Sequence, residues 1–246
     1  MSARAPVSRR SGRHGSQPLP SADPKAALFD MDGVLIDSYQ AHFESWRRVA
    51  AENGRVYTED QFAAGFGRTS REVIADQWHG EALSDARIGE IDRRKEWLFR
   101  EIISQNFPAM PGAVELIESL VRAGFRLAVG SSGPTENVEL AIERLGIGSL
   151  LSGVVTGHDV KRGKPDPQVF LIAAERLNVP HRRCVVVEDA PVGVEAAHRG
   201  GMRAIALAST GRTVEQLREA DVVVKSLREL SPERFDALLG MPLATE

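Results

Sequence analysis

Two aspartates one residue apart, Asp30 and Asp32, close the apolar run Ala26 to Phe29 and are followed by Gly33 and a second apolar run, Val34 to Ile36. Acids at the end of a buried strand stand at the edge where open parallel sheets bind ligands. An acidic pair on a surface loop is the alternative, but such loops are rarely flanked by apolar runs. Further polar groups occupy comparable places: Ser131-Ser132 after Phe125 to Val129, Lys164 before Pro165-Asp166-Pro167, and Glu188-Asp189 after Cys184 to Val187. Carboxylates gathered on one edge repel one another and take up protons unless a cation shares the site. With only oxygen donors on offer, the fitting cation is Mg2+, which keeps waters and a substrate phosphate in its shell. The six histidines are scattered without metal-ligand spacing, so zinc has no support.

Positioning these groups requires a sheet, and the chain beyond Gly112 supplies one by alternation. Helices at Ala113 to Ala123, Pro134 to Leu145, Pro167 to Leu177 and Val192 to Arg199 precede strands at Phe125 to Val129, Gly153 to Thr156, Cys184 to Val187 and Ala204 to Leu207, with an edge strand at Val222 to Val224. Fully apolar strands alternating with helices predict an α/β, doubly wound parallel sheet covered on both faces. Between the first strand and Pro111-Gly112 the pattern is helical instead. Tyr39, His42, Phe43, Trp46, Val49 and Ala50 recur at spacings of three and four, and helices follow near Thr58 to Ala64, Ser70 to Trp78 and Asp85 to Ile103. Within the last of these, Arg93, Arg94 and Lys95 are candidates to contact an anionic substrate, but a charge run on a helix is more often a solvated face. The expected division is a disordered tail over 1–23, a core over 24–37 and 109–246, and an inserted helical domain over 38–108.

Composition narrows the rest. A chain of 246 residues with 42% hydrophobic content builds a sizeable core, and its formal net charge of -3 gives no general attraction to nucleic acid or anionic membranes. No apolar run approaches the roughly 20 residues that span a bilayer. The single cysteine, Cys184, reads as a buried core residue and excludes an internal disulfide, which suits a cytoplasmic location. The acid-free, Arg- and Ser-containing start reads as tail, with a transit peptide or polyanion-binding arm as alternatives. The oligomeric state is left open, with a monomer compatible.

Phe29-Asp30-Met31-Asp32-Gly33-Val34, the Val129-Gly130-Ser131-Ser132 strand end, Gly163-Lys164-Pro165-Asp166-Pro167 and Val187-Glu188-Asp189 resemble the four ordered motifs of the haloacid dehalogenase superfamily. The likeness spans Lys25 to about Val224. The helical block is similar to the cap of the branch containing phosphoglycolate phosphatase and β-phosphoglucomutase, so a Rossmann-like core with an α-helical cap is implied. In that family Asp30 is the nucleophile and Asp32 the general acid and base. Lys164 neutralises charge, the Ser131 hydroxyl and the backbone N-H groups of Gly33 and Ser132 hold phosphate oxygens, and Pro134 suits the first turn of the following helix. Mg2+ is held by Asp30, the Asp32 carbonyl and Asp189, with Glu188 a ligand or an acceptor just behind. His42 is a candidate substrate contact, or else a packed core residue, and Arg68 lies in the loop Gly65 to Arg71 that reads substrate. The implied activity is Mg2+-dependent hydrolysis of a small phosphorylated metabolite, a sugar phosphate or phosphoglycolate. A sugar-phosphate mutase is the alternative, weakened because Ser70 stands where the mutase loop presents an arginine; a non-catalytic phosphometabolite-binding module is less favoured. Asp32 argues against dehalogenation, which needs no proton donor.

Overall fold

The central apolar runs form strands buried on both faces, and their alternate side chains enter two different cores. The computed structural model describes residues 23–66, 70–79 and 82–241. Strands β1 (Ala26–Phe29), β2 (Arg126–Gly130), β3 (Gly153–Val155), β4 (Cys184–Glu188), β5 (Arg203–Leu207) and β6 (Val222–Val224) form one sheet in the order β3-β2-β1-β4-β5-β6, and every pairing is parallel. The strand order reverses direction at β1, which places the first acidic motif at the centre of the sheet and at its switch point.

Ala27, Phe29, Leu127, Val129, Val185 and Val187 pack on one side with helices α5 (Ala113–Arg122) and α6 (Thr135–Leu145). Leu28, Ala128 and Val186 pack on the other with α7 (Gln168–Arg176) and α8 (Pro191–Arg199). The expected doubly wound sheet is therefore present. A further helix, α9 (Pro232–Gly240), closes the first core through Phe235 and Leu238 and has no counterpart in the sequence reading. Pro134 is extended (φ -60°, ψ 150°) and precedes α6 instead of opening its first turn.

Among the described residues four helices intervene between β1 and α5: α1 (Tyr39–Glu52), α2 (Glu59–Gly65), α3 (Ser70–Gln77) and α4 (Asp85–Gln105). They enclose their own apolar cluster, including Trp46, Phe62, Ile74, Trp78 and Leu98. A capping box between Thr58 and Gln61 starts α2, and the Ser84 hydroxyl accepts from Arg87 N-H to start α4. The segments entering and leaving this layer pair with each other: Asp37 N-H donates to Pro108 O at 2.8 Å, and Met110 N-H to Leu35 O at 3.0 Å. Among the described residues no helix is long and apolar enough to cross a membrane. The expected tail lies, apart from Asp23, outside the described residues.

Candidate active site

β1, β2 and β4 end side by side, and the ladder continues just past their ends. Asp30 N-H donates to Val187 O, and Ser131 N-H to Val155 O, both at 3.0 Å. These bonds fix the backbone at the points where Asp30, Ser131 and Glu188-Asp189 leave the sheet. Lys164 arrives from the loop before α7, its Nζ 2.7 Å from Asp30 Oδ1 and 2.5 Å from Glu188 Oε1. The other Glu188 oxygen accepts from the N-H groups of Asp189 (2.8 Å) and Ala190 (2.9 Å), capping the approach to α8. Glu188 is thus held on both sides, and a Cβ on Gly193 would lie 1.9 Å from its Oε1, so only glycine lets α8 start there.

Asp30, Glu188 and Asp189 each present a carboxylate oxygen within 4.8 Å of the others, and all three are buried. Burial raises the Asp30 carboxyl to about 7, with Glu188 and Asp32 adding to the rise against the opposing Lys164. Burial, then Glu188 and Asp30, push Asp189 well above the usual carboxylate range. For Lys164 burial acts downward but is outweighed by Asp30 and Glu188, so it stays charged. One lysine serves two of the three acids and leaves Asp189 short of positive charge. A divalent cation with a preference for hard oxygen donors fits this deficit.

Asp32 faces elsewhere. Its Oδ1 is 3.1 Å from His42 Nε2 on α1, and His42 Nδ1 is 2.9 Å from Lys95 Nζ on α4. An ammonium only donates, so Nδ1 accepts and the imidazole proton sits on Nε2, directed at Asp32. Burial acts upward on Asp32, but His42, Ser38 and Lys95 outweigh it and bring the carboxyl to about 2. The side chain of Asp32 therefore takes no part in the acidic cluster. The His42 ring stacks on Phe99 at 4.1 Å with 11° between planes. Both of its nitrogens are engaged in this network, which makes it a partner for Asp32.

Lys95 corrects an expectation. It is 3% exposed, with its ammonium over the rings of Trp46 and Phe99, and does not lie on a solvated face. Its position on the stripe formed by Ile91, Leu98 and Phe99 was visible in the spacing, masked by the two arginines before it. Gly33 corrects another. Its N-H donates to Ile36 O at 2.8 Å and is unavailable to a phosphate. What the position requires is instead a φ of +75° and room for Asp189, whose Oδ2 would lie 2.3 Å from an added Cβ.

The Ser131 hydroxyl is buried, accepts from Gly133 N-H at 3.0 Å and keeps its own proton to donate. An added Cβ on Gly133 would stand 3.7 Å from Asp32 Oδ2, so this loop borders the second aspartate. Ser132 is exposed, leaving its backbone as the useful part. Arg68 lies outside the described residues. Arg212, which nothing in the sequence reading singled out, places Nε 3.7 Å from Asp189 Oδ2, too far for a hydrogen bond, beneath the Phe66 ring, and together with Lys164 still leaves three carboxylates facing two cations. Its signal, a lone arginine in a Thr-Gly-Arg-Thr loop, is too common to be read.

Residues 24–201 match the model of a family described as haloacid dehalogenase-like hydrolases. Validoxylamine A 7'-phosphate phosphatase of Streptomyces hygroscopicus subsp. limoneus is 36% identical over 213 residues, covering 84% of this chain and 95% of that protein. A phosphorylated carbohydrates phosphatase of Thermotoga maritima is 35% identical over 184 residues, covering 74% and 83%. Among solved structures, a β-phosphoglucomutase from Clostridium difficile superposes with a TM-score of 0.77 at 22% identity, covering 88% of this chain and 97% of its own, a likeness of fold.

Proposed function

The chain belongs to the haloacid dehalogenase-like hydrolase family, and from that premise we propose that it is a Mg2+-dependent phosphatase of a small phosphorylated metabolite, a sugar phosphate before phosphoglycolate. The observation that carries this reading is the divergence of two aspartates one residue apart. Asp30 turns to Lys164 and the acidic cluster, whereas Asp32 turns to His42. Titratable neighbours driven apart by their surroundings are what a nucleophile and a proton carrier require.

In the first half-reaction an Asp30 oxygen forms a bond to phosphorus as the bond to the leaving oxygen breaks, and Asp32 gives that oxygen its proton. In the second, water attacks phosphorus, Asp32 takes the water proton, and the Asp30 carboxylate leaves with inorganic phosphate as product. Held at about 2, Asp32 starts as a base; a phosphate dianion placed against it raises its proton affinity for the acid half. Lys164 and the Ser131 hydroxyl are positioned to bear the charge on the phosphoryl oxygens, with the Ser132 N-H beside them. Asp30, Asp189 and the Asp32 carbonyl would hold Mg2+, with Glu188 fixing Lys164. The ion would supply charge neutralisation for nucleophile and phosphate.

We assign the core to 24–37 and 109–246 and the substrate-admitting cap to 38–108. Two relatives of 36% and 35% identity bear phosphatase names, which supports hydrolysis over the mutase alternative. The test is phosphate release with and without Mg2+ from phosphoglycolate, hexose 6-phosphates and β-glucose 1-phosphate, with hexose phosphate interconversion followed in parallel. Metal-dependent release from one ester is expected. Interconversion with little release would replace the phosphatase by the mutase, and neither signal would leave a binding module.

A further inference from the structure

The hydrogen-bonded chain that starts at Asp32 does not stop at Lys95. Lys95 Nζ also donates to Glu96 Oε1 at 2.8 Å, and Glu96 Oε2 accepts from Asn137 Nδ2 at 2.6 Å. Asn137 Oδ1 in turn accepts from Arg100 Nη1 at 2.8 Å. Lys95, Glu96 and Asn137 are all buried. Glu96 and Arg100 belong to α4 of the helical layer, whereas Asn137 belongs to α6, the helix that follows the Ser131 to Gly133 loop.

Two features of this chain are not what packing alone produces. Adjacent residues on a helix do not face each other, so the Lys95 to Glu96 contact is not a by-product of helix geometry. Something must draw the carboxylate round, and Asn137 on the other layer is placed to do so. A buried ion pair is also generally no more stable than apolar residues of the same volume, so stability does not account for burying Lys95 and Glu96 here. What the arrangement does achieve is definite. The Lys95 ammonium is held against His42 Nδ1, which leaves the imidazole proton on Nε2 facing Asp32.

We propose that Glu96, anchored by Asn137 across the seam between the layers, is a positioning residue for proton transfer by Asp32: it fixes Lys95, and through Lys95 the His42 tautomer. This rests on Asp32 acting as the acid and base of the proposed phosphatase. Separating α4 from α6 removes the Asn137 bond from Glu96, so the proton-transfer chain is complete only while the two layers are seated together.

The experiment uses the full chain with Glu96→Gln and, because that variant removes a buried charge and risks misfolding, Asn137→Ala, which keeps both charges. Single-turnover rates of leaving-group release, which report the first half-reaction alone, are measured on the alkyl phosphate turned over fastest in the panel above and on p-nitrophenyl phosphate, whose leaving group departs without needing a proton. Glu96→Gln is expected to lower the rate of leaving-group release from the alkyl ester by about tenfold and Asn137→Ala by a few-fold, with KM within about twofold and release of p-nitrophenol nearly unaffected. Glu96→Asp is expected to recover part of the loss. Nitrogen-15 NMR of the imidazoles should show His42 as a fixed Nε2-H tautomer in the parent and a mixture in Glu96→Gln. Equal losses on both esters, or an unchanged tautomer, would overturn the proposal. Failure of the phosphatase reading looks different: the parent would release no Asp30-dependent phosphate from any ester, while the tautomer measurement would still decide the role of Glu96.

Discussion

The site has two sides, and they handle charge in opposite ways. At the sheet edge three buried carboxylates face two cations, Lys164 against Asp30 and Glu188 and the more distant Arg212 against Asp189, and stay short of positive charge, with Asp30 raised to about 7. On the helical side each carboxylate has a hydrogen-bonding partner of its own, Asp32 in His42 and Glu96 in Lys95, and both carboxyls are held low. The unbalanced side is suited to accepting a cation and a phosphoryl group. The hydrogen-bonded side suits a proton that must be moved in either direction.

That contrast is broken most severely at Asp30. Asp30→Asn should lower phosphate release by more than a thousandfold, on the order expected when a nucleophile is lost, while far-ultraviolet circular dichroism stays that of the parent. A residual rate of a tenth would remove Asp30 as the nucleophile. Lys164→Met strips the shared cation from Asp30 and Glu188, and should cost about 3–5 kcal/mol in urea unfolding as well as activity. On the helical side His42→Gln should slow an alkyl ester by about 10–100-fold. Because its partner Asp32 keeps a third of its side chain exposed, stability should change little, checked in the same unfolding assay.

The smallest effect sharpens the comparison through pH. The carboxyls of Asp30 and Asp189 are raised on folding, mainly by burial, so their contribution turns unfavourable above the unfolded value of about 4 and worsens as pH rises through 7. Asp32 is lowered, so its stabilisation is present above about 4 and is lost only as pH falls toward 2. Between pH 5 and 8 the metal-free melting temperature should therefore fall on account of the sheet edge alone. Asp189→Asn should flatten that fall by about 2–4 °C for each kcal/mol relieved, and Mg2+ should raise the melting temperature more at pH 8 than at pH 5.

The sheet side was legible in the sequence because strands buried on both faces are uniformly apolar, so any polar residue at their ends stands out: Asp30, Ser131 and Glu188 were found this way. The helical side was not. Lys95 sits on the apolar stripe of α4 but follows Arg93 and Arg94, and a run of three basic residues looks like surface. Its burial depends on partners from α1 and α6 that are distant in the chain, and pairings of that kind leave no local pattern. Gly33 was read for its N-H, whereas its close approach to Asp189 is a tertiary fact with no local signal. Helix α9 was missed since its two buried residues, Phe235 and Leu238, are too few to mark a period.

The paired segments at the base of the helical layer have a consequence for how such a protein diversifies. Ile36 bridges Ala109, so the chain leaves the sheet and returns to it at a single knot of hydrogen bonds. The entropy of closing a loop between fixed ends rises only with the logarithm of its length. Whatever is threaded between Asp37 and Pro108 can be lengthened, shortened or exchanged by recombination as one cassette, while the register of the six strands is untouched. Asp32 leans on the inserted part for its proton partner, through His42 and Lys95, and any cassette that replaced this one would have to bring a proton partner with it.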